Sequence, residues 1–454
     1  MTTAIAPRPD TTASAALKIW ALLLGMGAML AGNGLQSSLL GLRAESEGFG
    51  DGITGLMMSG FYLGFLAGSV LTPKMLRNVG HVRTFGALAS LASIAILVHG
   101  LFIDPAVWTA MRFMTGLSFA GLYVVTESWL NHSVPNTLRG SILALYWVIG
   151  YLGLAAGQVM LNAAPPETSD LFILCSIVIS FALVPILLTA TPQPDVSTPQ
   201  SVSLRFLVQT APLGAIGCFA TGTAQGVILG MAPVYASKLG LSVAEVSVFM
   251  IALVVGGVVL QWPLGKLSDI FDRRKVILGI ALSAAVAALL MEAVAAVSFT
   301  ALLLACAVMG GLVLSLYPIF LAYTNDWLEP NQMVAASGTL VLTFGAGAIL
   351  GPSGAGWLMG MFGPEGFVAY LALIHLGIAV FAIYRMTRRA APEEQGEYVL
   401  GPSQPAPSAT LWAEEIAETD GEPEEEAASE LGDSVVSGEA TESARGDPPE
   451  SSRS

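Results

Sequence analysis

GKLSDIFDRRKV, residues 265–276, carries six charges between Lys266 and Lys275 in a chain of which only 11% is charged. What surrounds it is apolar. Hydrophobic residues make up 54% of the 454 positions, and the mean hydropathy is +0.70, outside the range of water-soluble domains and within that of membrane proteins. The uncharged runs are long: 24 residues between Lys18 and Arg43, 22 between Asp51 and Lys74, 20 between Arg83 and Asp104, and 20 between Glu245 and Lys266. About 20 apolar residues suffice for one helix across a bilayer. Twelve spans are expected, over 17–40, 52–76, 82–103, 105–130, 138–163, 169–190, 206–235, 244–268, 275–297, 299–326, 331–361 and 366–388.

Basic residues orient these spans, because cytoplasmic loops keep Lys and Arg. With the N-terminus inside, fourteen Lys and Arg up to residue 390 fall in inside loops and ends, and only Arg43 and Lys238 fall outside. Both termini are therefore expected in the cytoplasm, with the first span serving as an uncleaved anchor. The net charge of −14 belongs to the end of the chain: beyond residue 390 there are 17 acidic residues and two arginines, which leaves about +1 for the rest. That end is rich in Glu, Pro, Ser and Ala, a composition with little to bury, so disorder is expected there. The resulting organisation is a cytoplasmic segment over 1–16, a six-helix bundle over 17–190, a cytoplasmic linker over 191–205, a second six-helix bundle over 206–388 and a disordered acidic cytoplasmic tail over 389–454. Cys175, Cys218 and Cys306 lie within apolar spans and read as buried small hydrophobes, not as a metal or disulfide framework.

The two bundles are written into the sequence as a repeat. Asn33-Gly34 in the first span is matched by Gln225-Gly226 in the seventh, 192 residues on. PKMLRNVGHVR (73–83) follows the second span as GKLSDIFDRRK (265–275) follows the eighth, at the same offset. ESWL (127–130) returns as NDWL (325–328) at an offset of 198. Equal order and similar offsets imply two parallel repeats, an arrangement known in transporters.

The 265–276 stretch resembles the loop signature of the major facilitator superfamily, G-x-L-x-D-R-x-G-R-R, with Gly265, Leu267, Asp269, Arg273 and Arg274 on its positions, Ile270 in place of the first Arg and Asp272 in place of the second Gly. The copy at 73–83 departs further, with Pro73 and Arg77 where the family has Gly and Asp. Arg112, Gly116 and Ala120 match the superfamily's helix 4 pattern R-x-x-x-G-x-x-x-A. QWPLGKLSD (261–269), TESWL with Arg139-Gly140, and LYP (316–318) are further similar to the YcaD-like group. The resemblance covers about residues 17–388. It implies an all-α membrane protein of twelve transmembrane helices in two pseudo-symmetric six-helix halves, working as a monomeric transporter in the cytoplasmic (inner) membrane, with no cofactor.

Polar groups inside spans are costly and so mark candidate sites. Arg112 is the sharpest: it is expected to act on the solute or its coupling proton, with structural pairing as the other reading. Asn33, Gln36 and Gln225 lie at mid-membrane on helices that the resemblance places around the cavity; their amides can bind a polar solute or join helices. Tyr62, Tyr123, Trp147, Tyr317 and Tyr323 can stack on a planar solute or pack the core. Asp269, Arg273, Arg274 and Gly265 form the expected cytoplasmic latch, the basic cluster also binding anionic lipid headgroups. Glu127 is expected to tie helix 4 to Arg139, with proton binding as an alternative, and Asp326 to play the same gate role in the other half. Glu292, His99 and His375 are expected to be peripheral.

These features point to a small-solute transporter, with a proton as the expected coupling ion. A receptor or assembly factor on the same fold, or an uncoupled facilitator, is the alternative. Four widely spaced histidines and no G-x-x-x-x-G-K-[ST] loop argue against a membrane enzyme or a nucleotide-driven pump. The topology is directly testable: reporter tags at residue 12 and after residue 390 should both be cytoplasmic, and an external signal from either would overturn the orientation.

Overall fold

The computed structural model describes residues 12–134, 136–188, 202–390, 395, 396 and 398. Among them are twelve helices of 19 to 33 residues: α1 (Trp20–Ser46), α2 (Asp51–Val79), α3 (His81–Leu101), α4 (Pro105–Ser133), α5 (Asn136–Met160), α6 (Asp170–Leu188), α7 (Pro212–Lys238), α8 (Val243–Ile270), α9 (Arg273–Ala295), α10 (Phe299–Asn325), α11 (Pro330–Phe362) and α12 (Glu365–Arg388). Ten are long and apolar enough to cross a membrane. The two that fall short, α1 and α4, carry Asn33, Gln36 and Arg112, so their polarity coincides with the candidate site.

Local chemistry sets the ends. Asp104 caps α4, its Oδ1 accepting from Ala106 N at 2.9 Å and Val107 N at 3.0 Å, with Pro105 in the first turn. Ser242 and Glu245 form a capping box on α8, and Asp272 caps α9. Gly80, at φ 82°, makes the corner between α2 and α3 that a side chain would strain. Two boundaries differ from the sequence reading. The first span was expected to end near residue 40, but α1 runs on to Ser46, because Arg43 pairs with Glu47 at 2.7 Å one turn ahead and the helix carries both charges past the apolar region. The seventh was expected to start at 206. A separate short helix, Leu204–Thr210, stands there, since Pro212 disfavours helical backbone in the preceding residue and restarts the chain as α7.

In the first half α2 packs on α4, α1 on α5 and α6, and α3 on α4 and α6; in the second α8 packs on α10, α7 on α11 and α12, and α9 on α10 and α12. These are the same pairings six helices apart. The glycines at the crossings repeat as well. A Cβ on Gly64 would strike the Phe113 carbonyl and one on Gly116 that of Phe61; at the corresponding α8·α10 crossing Gly256 faces Ala307 and Gly310 faces Leu253. Gly153 and Gly157 of α5 lie on the backbone of residues 27 and 31, and Gly347 and Gly351 of α11 on that of residues 219 and 223, preserving the 192-residue offset. Lipid tails offer helices no hydrophobic reason to associate, so backbone-to-backbone approach through small residues supplies the packing.

The halves meet along α2·α11, α1·α7 and α5·α8. Their polar contacts gather at one end of the bundle. Ser59 Oγ lies 2.6 Å from Ser353 Oγ, Ser37 Oγ donates to Leu229 O at 2.8 Å, Asn162 Nδ2 to Ser247 Oγ at 2.9 Å, and Lys238 pairs with Asp51 at 3.1 Å. This clamped end holds the α1–α2 and α7–α8 loops; the basic loops α2–α3 and α8–α9 lie at the other. The crossings predict a contrast. Gly116→Val should lower the midpoint of thermal unfolding in detergent by the equivalent of about 1–3 kcal/mol of overpacking, whereas Gly279→Ala, on an exposed face with nothing within 4 Å of the added carbon, should leave it unchanged.

Candidate functional site

Between the halves lies a cavity of about 90 Å³, lined chiefly by α1, α2, α4 and α5 and closed on its far side by Leu229, Met250 and Val254 of α7 and α8. It has room for several waters. Its polar wall is made by Asn33, Ser37, Arg112 and Gln158, and its flat apolar wall by Phe61, Tyr62, Tyr123, Trp147 and Tyr151. Arg112 sits seven residues into α4, roughly 10 Å from the helix start, and is 2% exposed. Its guanidinium carbon stands 4.5 Å from the Phe61 ring centroid, an arrangement in which the ring quadrupole partly compensates the charge. Among the described residues its Nε and Nη1 have no hydrogen-bond partner and no carboxylate within ion-pair distance. Gln158 is tied down: its Nε2 donates to Gly34 O at 2.9 Å and its Oε1 accepts from Ser38 Oγ at 2.8 Å.

At the basic end, the 265–276 stretch forms a closed ionic network. Arg273, 1% exposed, bonds Asp326 and the Gly396 carbonyl, and reaches Asp269 Oδ1 at 3.3 Å and Ala322 O at 3.3 Å. Asp326 Oδ1 also accepts from Gly396 N at 3.1 Å, and Asp269 Oδ1 from Tyr398 N at 2.7 Å. Burial pushes the Asp326 carboxyl up, while Arg273 pulls it in the opposite sense. Burial likewise raises the Tyr398 phenol, whose ring lies over Gly265 where a Cβ would collide with it. Arg274 holds Asp272 two-pronged, at 3.0 and 2.7 Å, and donates to Arg389 O at 2.7 Å; the Asp272 carboxyl is lowered first by that hydrogen bond. In the first half the place of Arg273 is taken by His81, 192 residues earlier, and that of Asp326 by Ser128, 198 earlier; His81 Nε2 lies 3.0 Å from Ser128 Oγ.

The comparisons with known proteins agree with this arrangement. Residues 213–417 match the family model of the Major Facilitator Superfamily. The uncharacterized MFS-type transporter YcaD of Escherichia fergusonii is 29% identical over 307 residues, 67% of this chain and 79% of that one; its counterpart from Escherichia coli (strain K12 / DH10B) is 29% identical over 310 residues, 68% and 80%. The crystal structure of the nucleoside transporter NupG superposes with a TM-score of 0.68 at 12% identity, over 82% of this chain and all of that one. That of a D-xylose-proton symporter gives 0.62 at 12%, over 83% and 98%. The chain has the major facilitator fold and is similar in sequence to transporters of that superfamily.

Within that fold the candidate residues divide. Asn33, Arg112 and Tyr123 line the cavity, as do Tyr62 and Trp147. Gln36, Gln225 and Tyr317 do not: Gln36 is fully buried outside the lining, Gln225 Nε2 points to Val313 O at 3.5 Å, and Tyr317 packs edge-on to Phe344 at 5.2 Å. The opposite half thus contributes apolar side chains where polar ones were expected. Glu127, 1% exposed, accepts from Tyr146 Oη at 3.4 Å; the side chain of Arg139, its expected partner, lies outside the described residues. The position matching Asp326 in the repeat is Ser128, so Glu127 and Asp326 are not equivalents. Headgroup binding by the basic cluster is also revised: Arg273 and Arg274 are buried in protein pairs, and of the three only Lys275 is exposed. Of the expected tail, Arg389, Ala390, Gln395, Gly396 and Tyr398 are described, with Gly396 and Tyr398 docked on the ionic network; the rest lies outside the described residues. His99 and His375 are packed, each with Nδ1 2.7 Å from the carbonyl one turn back.

Sequence reasoning passed over Gln158 and His81. The first was detectable as a mid-span amide beside Gly157, the second by carrying the 192-residue offset through to Arg273. The network predicts strong coupling. Arg273→Met should cost about 3–5 kcal/mol by stranding the buried Asp326 carboxylate, and Arg273→Met with Asp326→Leu should recover most of that loss in thermal unfolding.

Proposed function

We propose that this transporter moves a small solute across the cytoplasmic (inner) membrane by alternating access, driven by the proton gradient, with all twelve long helices spanning and both termini in the cytoplasm. The observation that carries the reading is the cavity itself: a buried arginine whose Nε and Nη1 have no partner among the described residues faces a space between two halves whose polar contacts are concentrated at one end. Fourteen of the Lys and Arg before residue 391 lie in the loops and ends assigned inside, which supports the cytoplasm as the side of the basic network. Contacts such as Ser59 with Ser353 can be exchanged for water at little net cost, so they suit a seal that opens and recloses. Glu127 supports proton coupling: it is a buried carboxylate one turn from the cavity residue Tyr123 on the same helix as Arg112. In this reading Asn33, Arg112 and Tyr123 contact the solute, and Asp269, Arg273, Arg274, Gly265 and Asp326 hold the cytoplasmic gate.

The seal gives a test that needs no solute. A Ser59→Cys/Ser353→Cys pair should oxidise to a disulfide, given hydroxyls 2.6 Å apart. Once locked, a third cysteine at Asn33 should react with a membrane-impermeant thiol reagent from the cytoplasmic face alone, and reduction should restore labelling from outside. Equal labelling from both faces in the locked protein would remove alternating access. Glu127→Gln in the same vesicles should abolish solute-dependent internal pH change.

A further inference from the structure

Resting on the transporter reading, we infer that the cavity takes a small organic anion, a carboxylate or phosphate joined to a flat apolar group. Arg112 is the one Lys or Arg in the cavity lining, and no Asp or Glu is found there. The titratable side chains that bear on it are Tyr62, Cys175 and His99, none of them anionic under ordinary conditions. A guanidinium stays charged in protein, so the described protein groups leave this buried positive charge without a carboxylate partner. An anion entering from either side supplies a partner, and Nε and Nη1, both without one among the described residues, are donors on opposite sides of the planar group. Guanidinium donors of this kind suit the oxygens of a carboxylate or phosphate.

The remainder of the ligand is set by the opposite wall. Phe61 already covers one face of the guanidinium at 4.5 Å, and Tyr62, Tyr123 and Trp147 continue the aromatic surface from it. Such a wall stacks against a ring or planar chain and discriminates poorly between them. The Asn33 amide offers one further polar contact beside the anion, whereas Gln158 is already bonded at both ends and offers less. A volume of about 90 Å³ limits the ligand to about the size of a single ring, with any larger solute requiring α7 and α8 to withdraw.

Shared chemistry leaves two sources of anionic oxygen, a free solute or a lipid headgroup, and the assay separates them. Purified protein in phosphatidylcholine nanodiscs is titrated with benzoate, phenyl phosphate and, as neutral counterparts, benzamide and benzyl alcohol, with thermal unfolding as the readout. Benzoate or phenyl phosphate should stabilise the wild type and the neutral pair should not. Arg112→Gln should weaken the anion's apparent Kd about 10- to 100-fold, and Arg112→Lys, which keeps the charge without the fork, should fall between. Equal shifts from benzamide, an unchanged Kd in Arg112→Gln, or no shift from either anion would overturn the inference, the first and last being read on wild-type protein alone. Protection by added phosphatidylglycerol with none by benzoate would assign the arginine to a headgroup and overturn it too. Binding is measured here without transport, so its loss leaves the locked-seal result standing, and failure of the seal leaves the anion site standing.

Discussion

Hydrocarbon gives two helices no reason to touch, and every close approach in this bundle has to be made by removing side chains from the crossing. Gly64 and Gly116 do this where α2 meets α4, and Gly256 and Gly310 where α8 meets α10. Contacts between backbones at this range are lost steeply with separation, so each half is held as a body. The interface between halves is built differently, from Ser59 with Ser353, Ser37 with a carbonyl, and Lys238 with Asp51. These are groups that water can satisfy in turn. The exception is where Gly55 and Gly356 bring α2 and α11 together backbone to backbone. The interface between the halves thus mixes contacts that water can replace with one close backbone approach.

The two most buried arginines show what that frame does with charge. Arg273 and Arg112 are 1% and 2% exposed. The first is enclosed by Asp326, Asp269 and two carbonyls, so its desolvation is compensated within the protein and removing one partner leaves the other stranded. The second meets a ring face, a cavity and no carboxylate. Burial alone therefore does not separate the two arginines; a carboxylate partner among the described residues does.

Much of this was legible in the sequence. Spacing of the charges marked the spans, and the offset of 192 between Asn33-Gly34 and Gln225-Gly226 marked the repeat, which the crossings keep at Gly27 and Phe219, the residues that Gly153 and Gly347 pack on. Half of the site was legible as well, because a cation within an apolar run stands out whatever surrounds it. The rest depended on rotation about helix axes. Gln36 is three residues from Asn33, yet Asn33 lines the cavity and Gln36 does not. Tyr317 and Tyr123 looked alike as aromatic residues near the same depth, but only neighbouring helices decide which faces the space. The docking of Gly396 and Tyr398 was not legible because an acidic, proline-rich stretch is characterised by its average, and two residues with particular partners do not alter an average.

The repeat is most informative where it fails. His81 and Ser128 occupy the positions of Arg273 and Asp326 and lie 3.0 Å apart, so the guanidinium–carboxylate pair of the second half has no counterpart at these two positions. Arg77 stands where the second half has Asp269, which removes the carboxylate that receives the Tyr398 backbone N–H. The cavity shows the reverse asymmetry: α1, α2, α4 and α5 supply Asn33, Tyr62, Arg112, Tyr123 and Trp147, while α7 and α8 supply Leu229, Met250 and Val254. The halves thus differ in what they carry: the polar wall of the cavity lies in the first, and the buried arginine paired with carboxylates in the second. Separation has a physical benefit, since a carboxylate set against the cavity would satisfy Arg112 and leave nothing for an incoming anion to complete.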